Sequence, residues 1–558
     1  MQPNYPVEMR LDVKVPMRDG VNLSADIYLP KASGKFPTVL MRTPYSNNTD
    51  PMVEKGHRLA NHGYACVIQD CRGRWDSRGD FYPFGEGPDG YDTQEWVGRQ
   101  AWSNGKIGMA GGSYLGGVQW QSAPHRSQYL TCIAPRVMCC DYYTGLVYPG
   151  GAFQLNVMAT WGMRSNAQTA QTIEFHNWTE TFRTLPLITL DEKAGRHLPF
   201  WKDWVRHPAY DSYWEKCNGE KVWGEIAVPA LIMGGWYDLY ARQGFTNYNG
   251  LRREGRTPEA KQSRLIVGPW PHALSLSTRT GDVDFGVNSL VDLEVLELRW
   301  LDYWLKGIDT GIAKEPPLRL FIMGINEWRD EHEWPLARTE WQKWYLHSSG
   351  SANTVIGDGT LSPEPPGQEN PDRYMYDPEY PVPTRGGNNC CSPHIVPWGP
   401  YDQRCLEMRS DVLCYTSAPL AADLQVTGPI KVTLYAATDC RDTDWTAKLI
   451  DVSPTGYAMN LCDGILRARY REGFASPRLL EPGKVCGYEI EVGVTGNVFR
   501  KGHRIRLEIS SSNFPRFDRN LNTGHDLGLD AEMRQAKQTV HHAREYPSQI
   551  VLPVIPAE

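Results

Sequence analysis

A chain of 558 residues is too long for one hydrophobic core and implies two to four domains. Its 41% hydrophobic and 22% charged residues are the balance of an ordinary globular protein, and a net charge of −7 with a pI near 6.1 excludes the basic footprint of a nucleic-acid binder. No apolar run approaches the roughly 18 residues that a bilayer span needs.

The chain opens with MQPNYPVEMRLDVKV, which has neither a basic n-region nor an apolar h-region, so no secretory signal is expected and the expected location is cytoplasmic. VEMRLDVKV and VNLSADIYLP alternate in period two around the turn MRDG and predict an antiparallel start. Short apolar runs then alternate with helical patterns. PTVLMR, YACVIQD, IGMAGGS and LTCIAPR read as strands, while PMVEKGHRLANHG, DGYDTQEWVGRQ and YLGGVQWQSAP read as helices. This is the signature of a mainly parallel sheet with crossover helices. From about Tyr142 to Trp223 the strand signal stops, and FQLNVMATWGM and QTIEFHNWTETF fit helical spacing. The sheet resumes with PALIMGG and SRLIVGP, followed by a helix at VDLEVLELRWLDYWLKG.

A second change comes near residue 346. The Pro- and Gly-rich stretch SPEPPGQENPDRYMYDPEYPVPTRGG suits a long connection. Beyond it PIKVTLYAAT, TAKLIDV, VCGYEIEVG, HRIRLEISSS and QIVLPVI predict a β-sandwich of jelly-roll type. The expected division is therefore a sheet-and-helix core at 1–141 and 224–345, a helical insertion at 142–223, and a β domain at 346–558. Thirteen cysteines include the adjacent pairs Cys139-Cys140 and Cys390-Cys391, but none has a CxxC metal spacing, and free thiols are expected. Twenty tryptophans fit core packing, with an aromatic-lined pocket as the other reading.

The chemistry concentrates at Gly111-Gly112-Ser113-Tyr114-Leu115-Gly116, where a strand runs directly into a helix. A serine on such a turn holds its Oγ above the sheet, and its neighbours must be small because the backbone is crowded. The next backbone N–H points where an oxyanion would form. Leu115 stands where G-x-S-x-G has its second glycine, and Gly116 comes one later. A hydroxyl needs an imidazole to take its proton, and a carboxylate must orient that imidazole. Asp238 in GWYD and His272 in GPWPH follow successive strands in the order that this fold requires. Asp282 and Asp284 lie in a polar loop, and His62 and His125 lie near helix ends, where structural roles suit them better.

With these residues in hand, the chain resembles the serine hydrolase group of cocaine esterase, α-amino-acid ester hydrolases and Xaa-Pro dipeptidyl peptidases. The likeness runs through MRTPYS, QDCRGRWDSRGDF, DGYDTQEWV, WSNGKIGMAGGSYLG, GGWYD, GPWPH, DGILRARYR and SSSNFPRFDRN. The resemblance implies an α/β-hydrolase core with an inserted helical cap and a C-terminal jelly roll. It also implies a triad of Ser113, Asp238 and His272, and an elbow of G-x-S-Y-x-G form that accounts for Leu115. A tyrosine of the family that supplies an oxyanion-hole hydroxyl matches Tyr45; its neighbour Pro44 has no N–H to give, and the Tyr114 amide is the second donor.

The expected activity is carboxylic ester hydrolysis through an acyl-enzyme, with amide hydrolysis of acylase or dipeptidyl peptidase type as the alternative. A carbohydrate-binding jelly-roll protein is the rival without catalysis. No acid stands in the turn after Ser113, which favours an uncharged or aromatic acyl group, as in the cocaine esterase branch. Phe153, Trp161, Trp236 and Tyr237 are the candidate pocket aromatics. No metal or organic cofactor is required. The expected partner is a small-molecule ester or amide, with no nucleic acid or membrane, and a homo-oligomer is compatible with this reading.

Overall fold

The structure is a computed structural model that describes residues 4–556. Period-two alternation produces an antiparallel pair, β1 (Val7–Pro16) and β2 (Asn22–Pro30). The chain then builds β3 (Phe36–Thr43), α1 (Asp50–Asn61), β4 (Ala65–Asp70), α2 (Gly87–Gly98), β5 (Ser103–Gly112), α3 (Tyr114–Ser122) and β6 (Leu130–Arg136). After a long helical excursion that begins with α4 (Leu155–Ser165), it returns as β7 (Leu231–Gly235) and β8 (Arg264–Gly268).

Among the described residues, ten strands form one sheet in the order β1-β2-β4-β3-β5-β6-β7-β8, completed by Leu318–Ile322 and Glu327–Glu331. Neighbours from β4 to Leu318–Ile322 pair in parallel, and the strands at both edges are antiparallel. Helices cover the parallel strands, so every residue of ACVIQD is buried. That is why these strands read as continuous apolar runs rather than as alternation.

Between β6 and β7 the described residues form α4 and short helices such as Pro199–Arg206, with no strand of their own. Trp201, Trp204 and Trp214 are fully buried there. Much of the high tryptophan count is therefore packing. This region is pinned to the C-terminal part of the chain. The Phe153 N–H donates to Asp518 Oδ1 at 2.9 Å, and Asp518 also pairs with the buried Arg467 at 2.8 Å. Arg467 in turn meets Asp444 at 2.9 Å. The strings DGILRARYR and SSSNFPRFDRN thus join Asp444 in a buried charge network whose members satisfy one another.

Eleven strands form the C-terminal sheet among the described residues. Its longest pair joins Leu424–Thr438 to Cys486–Phe499, and Asp444–Val452 is buried throughout. Glu340–His347 already belongs to this sheet and pairs with Gln549–Ile555. The expected boundary at 346 therefore falls inside the strand Glu340–His347; the mixed sequence EWQKWYLH carries too few aliphatic residues to announce it. The Pro-rich connection is also more built than its composition suggests. It contains the strand Asp372–Tyr376, and the Val382 N–H donates to Ser512 Oγ at 2.8 Å. Among the described residues, no helix is long and apolar enough to cross a membrane.

Candidate active site

β5 delivers Ser113 at φ 57° and ψ −129°, outside the regions in which an L-residue rests comfortably. The turn is possible because its neighbours lack side chains. Gly111 has φ 130°, and a Cβ on Gly116 would lie 2.8 Å from the Arg136 carbonyl oxygen. The close approach thus falls at Gly116, and Leu115 is free to be large and buried beneath the turn. Tyr114 is the first residue of α3, so its N–H is one of those that a helix leaves without an intrahelical partner.

Asp238 and His272 come from the loops after β7 and β8, beyond the ends of adjacent parallel strands. His272 Nδ1 and Asp238 Oδ2 are 2.6 Å apart, with Asp238 buried and His272 partly exposed. The Asp238 loop is fixed by its own turn, in which Oδ1 accepts from the Tyr240 N–H at 2.9 Å. Between Ser113 and His272 the structure has no direct hydrogen bond among the described residues.

Tyr45 stands just beyond β3. Its hydroxyl accepts from the Trp161 indole N–H at 3.1 Å, and Ser113 is its other polar side-chain neighbour. Burial raises the phenol's pKa, and the two polar neighbours oppose that rise only in part. The phenol therefore stays protonated and able to donate. Its segment is held from below by Asp70, which accepts from the Asn47 N–H at 2.7 Å and whose pKa burial pushes up to about 7. Arg74 Nε donates to the Pro44 carbonyl at 2.8 Å, and burial lowers its guanidinium to about 10. Beneath Tyr114, the Tyr114 hydroxyl and Arg42 both meet Glu86, at 3.3 and 2.9 Å.

Ser113, Tyr45, Tyr114 and Trp161 line one narrow cavity with Phe84, Met138, Leu146, Val157, Met158, Tyr240 and Cys391. The His272 ring lies beside Tyr240, with centroids 6.0 Å apart. Of the four candidate aromatics, only Trp161 reaches this cavity, stacked on Tyr114 at 5.8 Å. The other three are packed elsewhere. Phe153 lies edge-on to Trp201, Trp236 donates its indole N–H to the Phe321 carbonyl at 2.7 Å, and the Tyr237 hydroxyl donates to the Asn460 carbonyl at 3.2 Å. All three are buried against neighbours that sequence adjacency could not name.

The segment 386–399 is the part that sequence reasoning missed. It follows directly on the Pro- and Gly-rich connection and brings Cys391 to the site. Asn388 Nδ2 donates to the backbone carbonyls of Trp236 and Asp238, at 2.7 and 3.0 Å, so it clasps the loop that carries the acid. Cys391 follows into the cavity wall. Cys390 and Cys391 are joined to one another as a disulfide, which corrects the free-thiol expectation for this pair; the other described cysteines are free. The run NNCCS was the available signal.

A serine elbow on a parallel sheet, with an acid–imidazole pair beyond neighbouring strand ends, defines a serine hydrolase of the α/β-hydrolase fold. The model of the X-Pro dipeptidyl-peptidase (S15) family matches residues 19–274, and that of the X-Pro dipeptidyl-peptidase C-terminal non-catalytic domain matches 310–551. The chain is 39% identical to cocaine esterase of Rhodococcus sp. (strain MB1 Bresler) over 99% of both chains. It therefore belongs to the S15 family of serine hydrolases, in the group that includes cocaine esterase. An α-amino acid ester hydrolase structure matches with a TM-score of 0.85 at 26% identity, covering 99% of this chain and 97% of that one. An aminopeptidase structure from the marine sediment archaeon Thaumarchaeota archaeon matches at 0.84 and 26%, covering 100% and 97%.

Proposed function

We propose that the chain hydrolyses carboxylic esters through an acyl-enzyme on Ser113. The observation that carries this reading is the Ser113 elbow at φ 57°, with Ser113 and Tyr45 lining one cavity. Ser113 Oγ attacks the carbonyl carbon, and His272 Nε2 takes the hydroxyl proton. Asp238 keeps the other ring proton on Nδ1 and stabilises the imidazolium that forms. The Tyr45 hydroxyl and the Tyr114 N–H donate to the tetrahedral oxyanion, which gathers more charge than the ground-state carbonyl. His272 then protonates the leaving alcohol, and a water activated by the same imidazole releases the acid.

The cavity wall supports an uncharged acyl group. Its side chains are apolar or hydroxyl-bearing, and no carboxylate stands among its described residues to hold a free ammonium. The relative of 39% identity is a cocaine esterase, which agrees with an ester rather than a dipeptide substrate. We also read the chain as three parts, with the helical region after β6 as a cap and the C-terminal strands as a jelly roll.

A panel of benzoyl and acetyl esters, their matching amides and an Ala-Pro anilide, assayed for kcat/KM, tests this reading. The benzoyl ester should exceed its amide and the anilide by at least about 10²-fold. Ser113→Ala should lower kcat by roughly 10⁴-fold, and a serine-directed phosphonate should label Ser113 alone. A preference for the anilide, or labelling at another serine, would overturn it.

A further inference from the structure

We propose that Cys390, Cys391 and His272 form a redox-gated site for a soft divalent metal ion, and that an ion held there stops hydrolysis. The inhibition rests on His272 acting as the base of the proposed mechanism; the binding site does not. The two cysteine sulfurs and a ring nitrogen of His272 lie within 4.8 Å of one another. These are the positions in the disulfide; once reduced, the two sulfurs can part to the roughly 3.7 Å that two thiolates on one tetrahedral ion with bonds of about 2.3 Å require. His272 Nδ1 is engaged by Asp238 at 2.6 Å, which leaves Nε2 as the nitrogen with a free lone pair. A carboxylate on the far nitrogen is the usual support of a metal-binding imidazole. Two sulfurs, one imidazole and an open fourth position suit ions of the Zn²⁺ and Cd²⁺ class.

The cysteine pair is held in place rather than left to wander. Asn388 ties the segment to the Asp238 loop, and Asn389 Nδ2 donates to the carbonyls of Gly386 and Pro397, at 2.9 and 3.0 Å. Cys391 sits at φ 78°, a conformation that a residue with a Cβ adopts only when its surroundings impose it. Cys390 is buried, while Cys391 is partly exposed and borders the cavity that holds Ser113. The hydrolytic steps need neither sulfur.

As a disulfide the pair offers no thiolate. A dithiol reductant supplies two electrons and two protons: the S–S bond breaks, two S–H bonds form, and the reductant closes to its own disulfide. Metal binding then replaces the two S–H bonds with two sulfur–metal bonds and releases two protons to solvent. Neutral His272 adds its Nε2 lone pair without losing a proton. That is the lone pair that must accept the Ser113 proton, so a bound ion and catalysis exclude one another.

Cd²⁺ added to the full-length chain tests the proposal. Protein reduced with a dithiol, then freed of it, is compared with oxidised protein and with Cys390→Ser/Cys391→Ser protein, each against its own metal-free rate. Reduced wild type should show an ultraviolet sulfur-to-cadmium band that saturates at one ion per chain. Its ester hydrolysis should fall by about tenfold or more, and a chelator should restore it. Oxidised wild type and the variant should show neither change. Exposed Cys405 is present in all three samples, so binding there would appear in all three. Equal band and rate in reduced and oxidised wild type would overturn the site, and that comparison needs no substitution. A saturating band with undiminished hydrolysis would overturn the inhibition and place the fault with His272 as base. Absence of ester hydrolysis before any metal is added would instead fault the proposed function, while the band would still report the site.

Discussion

The two sides of the candidate active site are built by different means. On one side, Tyr45, Ser113, Asp238 and His272 each follow the end of a parallel strand, one to four residues beyond β3, β5, β7 or β8. Ladder hydrogen bonds fix those ends, so each side chain is placed by a short, regular piece of backbone. On the other side, Asn388, Cys390 and Cys391 belong to a segment with no regular element of its own, joined to its surroundings by side chain–backbone bonds and the isolated Gly387–Gly399 bridge. The regular side carries the groups proposed to react, and the irregular side covers them. On the proposed mechanism the difference teaches that bond-making chemistry is anchored in the sheet, while access and control can be delivered from distant sequence.

Substitutions on each side can break that contrast. After Ser113→Ala, the largest effect is expected for Tyr45→Phe, which deletes one oxygen and keeps the ring. Loss of an oxyanion donor should lower kcat by about 10² to 10³, with little change in KM or melting temperature. A variant within about threefold of wild type would make Tyr45 a packed aromatic and leave the sheet side with fewer reacting groups than the contrast requires. Next comes Asn388→Ala on the covering side. Two backbone carbonyls lose their donor, which should lower the melting temperature and cost roughly 1–3 kcal/mol. By loosening the clasp on the Asp238 loop it should also lower kcat/KM by about tenfold, or ~1.4 kcal/mol. A lower melting temperature with unchanged kinetics would make the segment only a cover.

The same contrast explains what could be read from the sequence. Parallel strands buried on both faces wrote themselves as apolar runs, and the crowded elbow demanded small residues at Gly111, Gly112 and Gly116. Trp161 shares a face of α4 with Val157 and Met158, at helical spacing, toward the cavity. Trp236 and Tyr237 adjoin Asp238 in sequence but do not line the cavity with Ser113. A strand end sends successive side chains in different directions, and theirs enter the contact with Phe321 and Asn460. Cys391 was illegible because Pro- and Gly-rich composition signals a connection and carries no periodicity to show what it covers. The strand Glu340–His347 was hidden for a related reason, since its partner lies at the other end of the chain.

The smallest effect on rate is expected at Asp70, which supports the sheet side without touching the cavity. Its Oδ1 accepts from the Asn47 N–H and so steadies the turn that carries Tyr45. An amide can accept the same bond, so Asp70→Asn should leave kcat within about twofold of wild type. Stability is where the charge should show. Burial raises this carboxyl to about 7, against an unfolded value of about 3.9. Between about pH 4 and 7 the folded chain therefore holds a proton that the unfolded chain has released, and stability falls as pH rises through that window. Above pH 7 both states are ionised and the full cost of the buried charge is present. The variant lacks this slope. Its melting temperature should rise above that of wild type progressively from pH 4 to 7, and the gap should then stay constant. Melting curves at pH 4.5, 6 and 8 measure it. A gap that does not widen with pH would mean that Asp70 is as well solvated as an ordinary carboxylate. A large loss of kcat would mean that the Tyr45 turn needs the charge itself, and regular backbone alone would then not place the reacting groups.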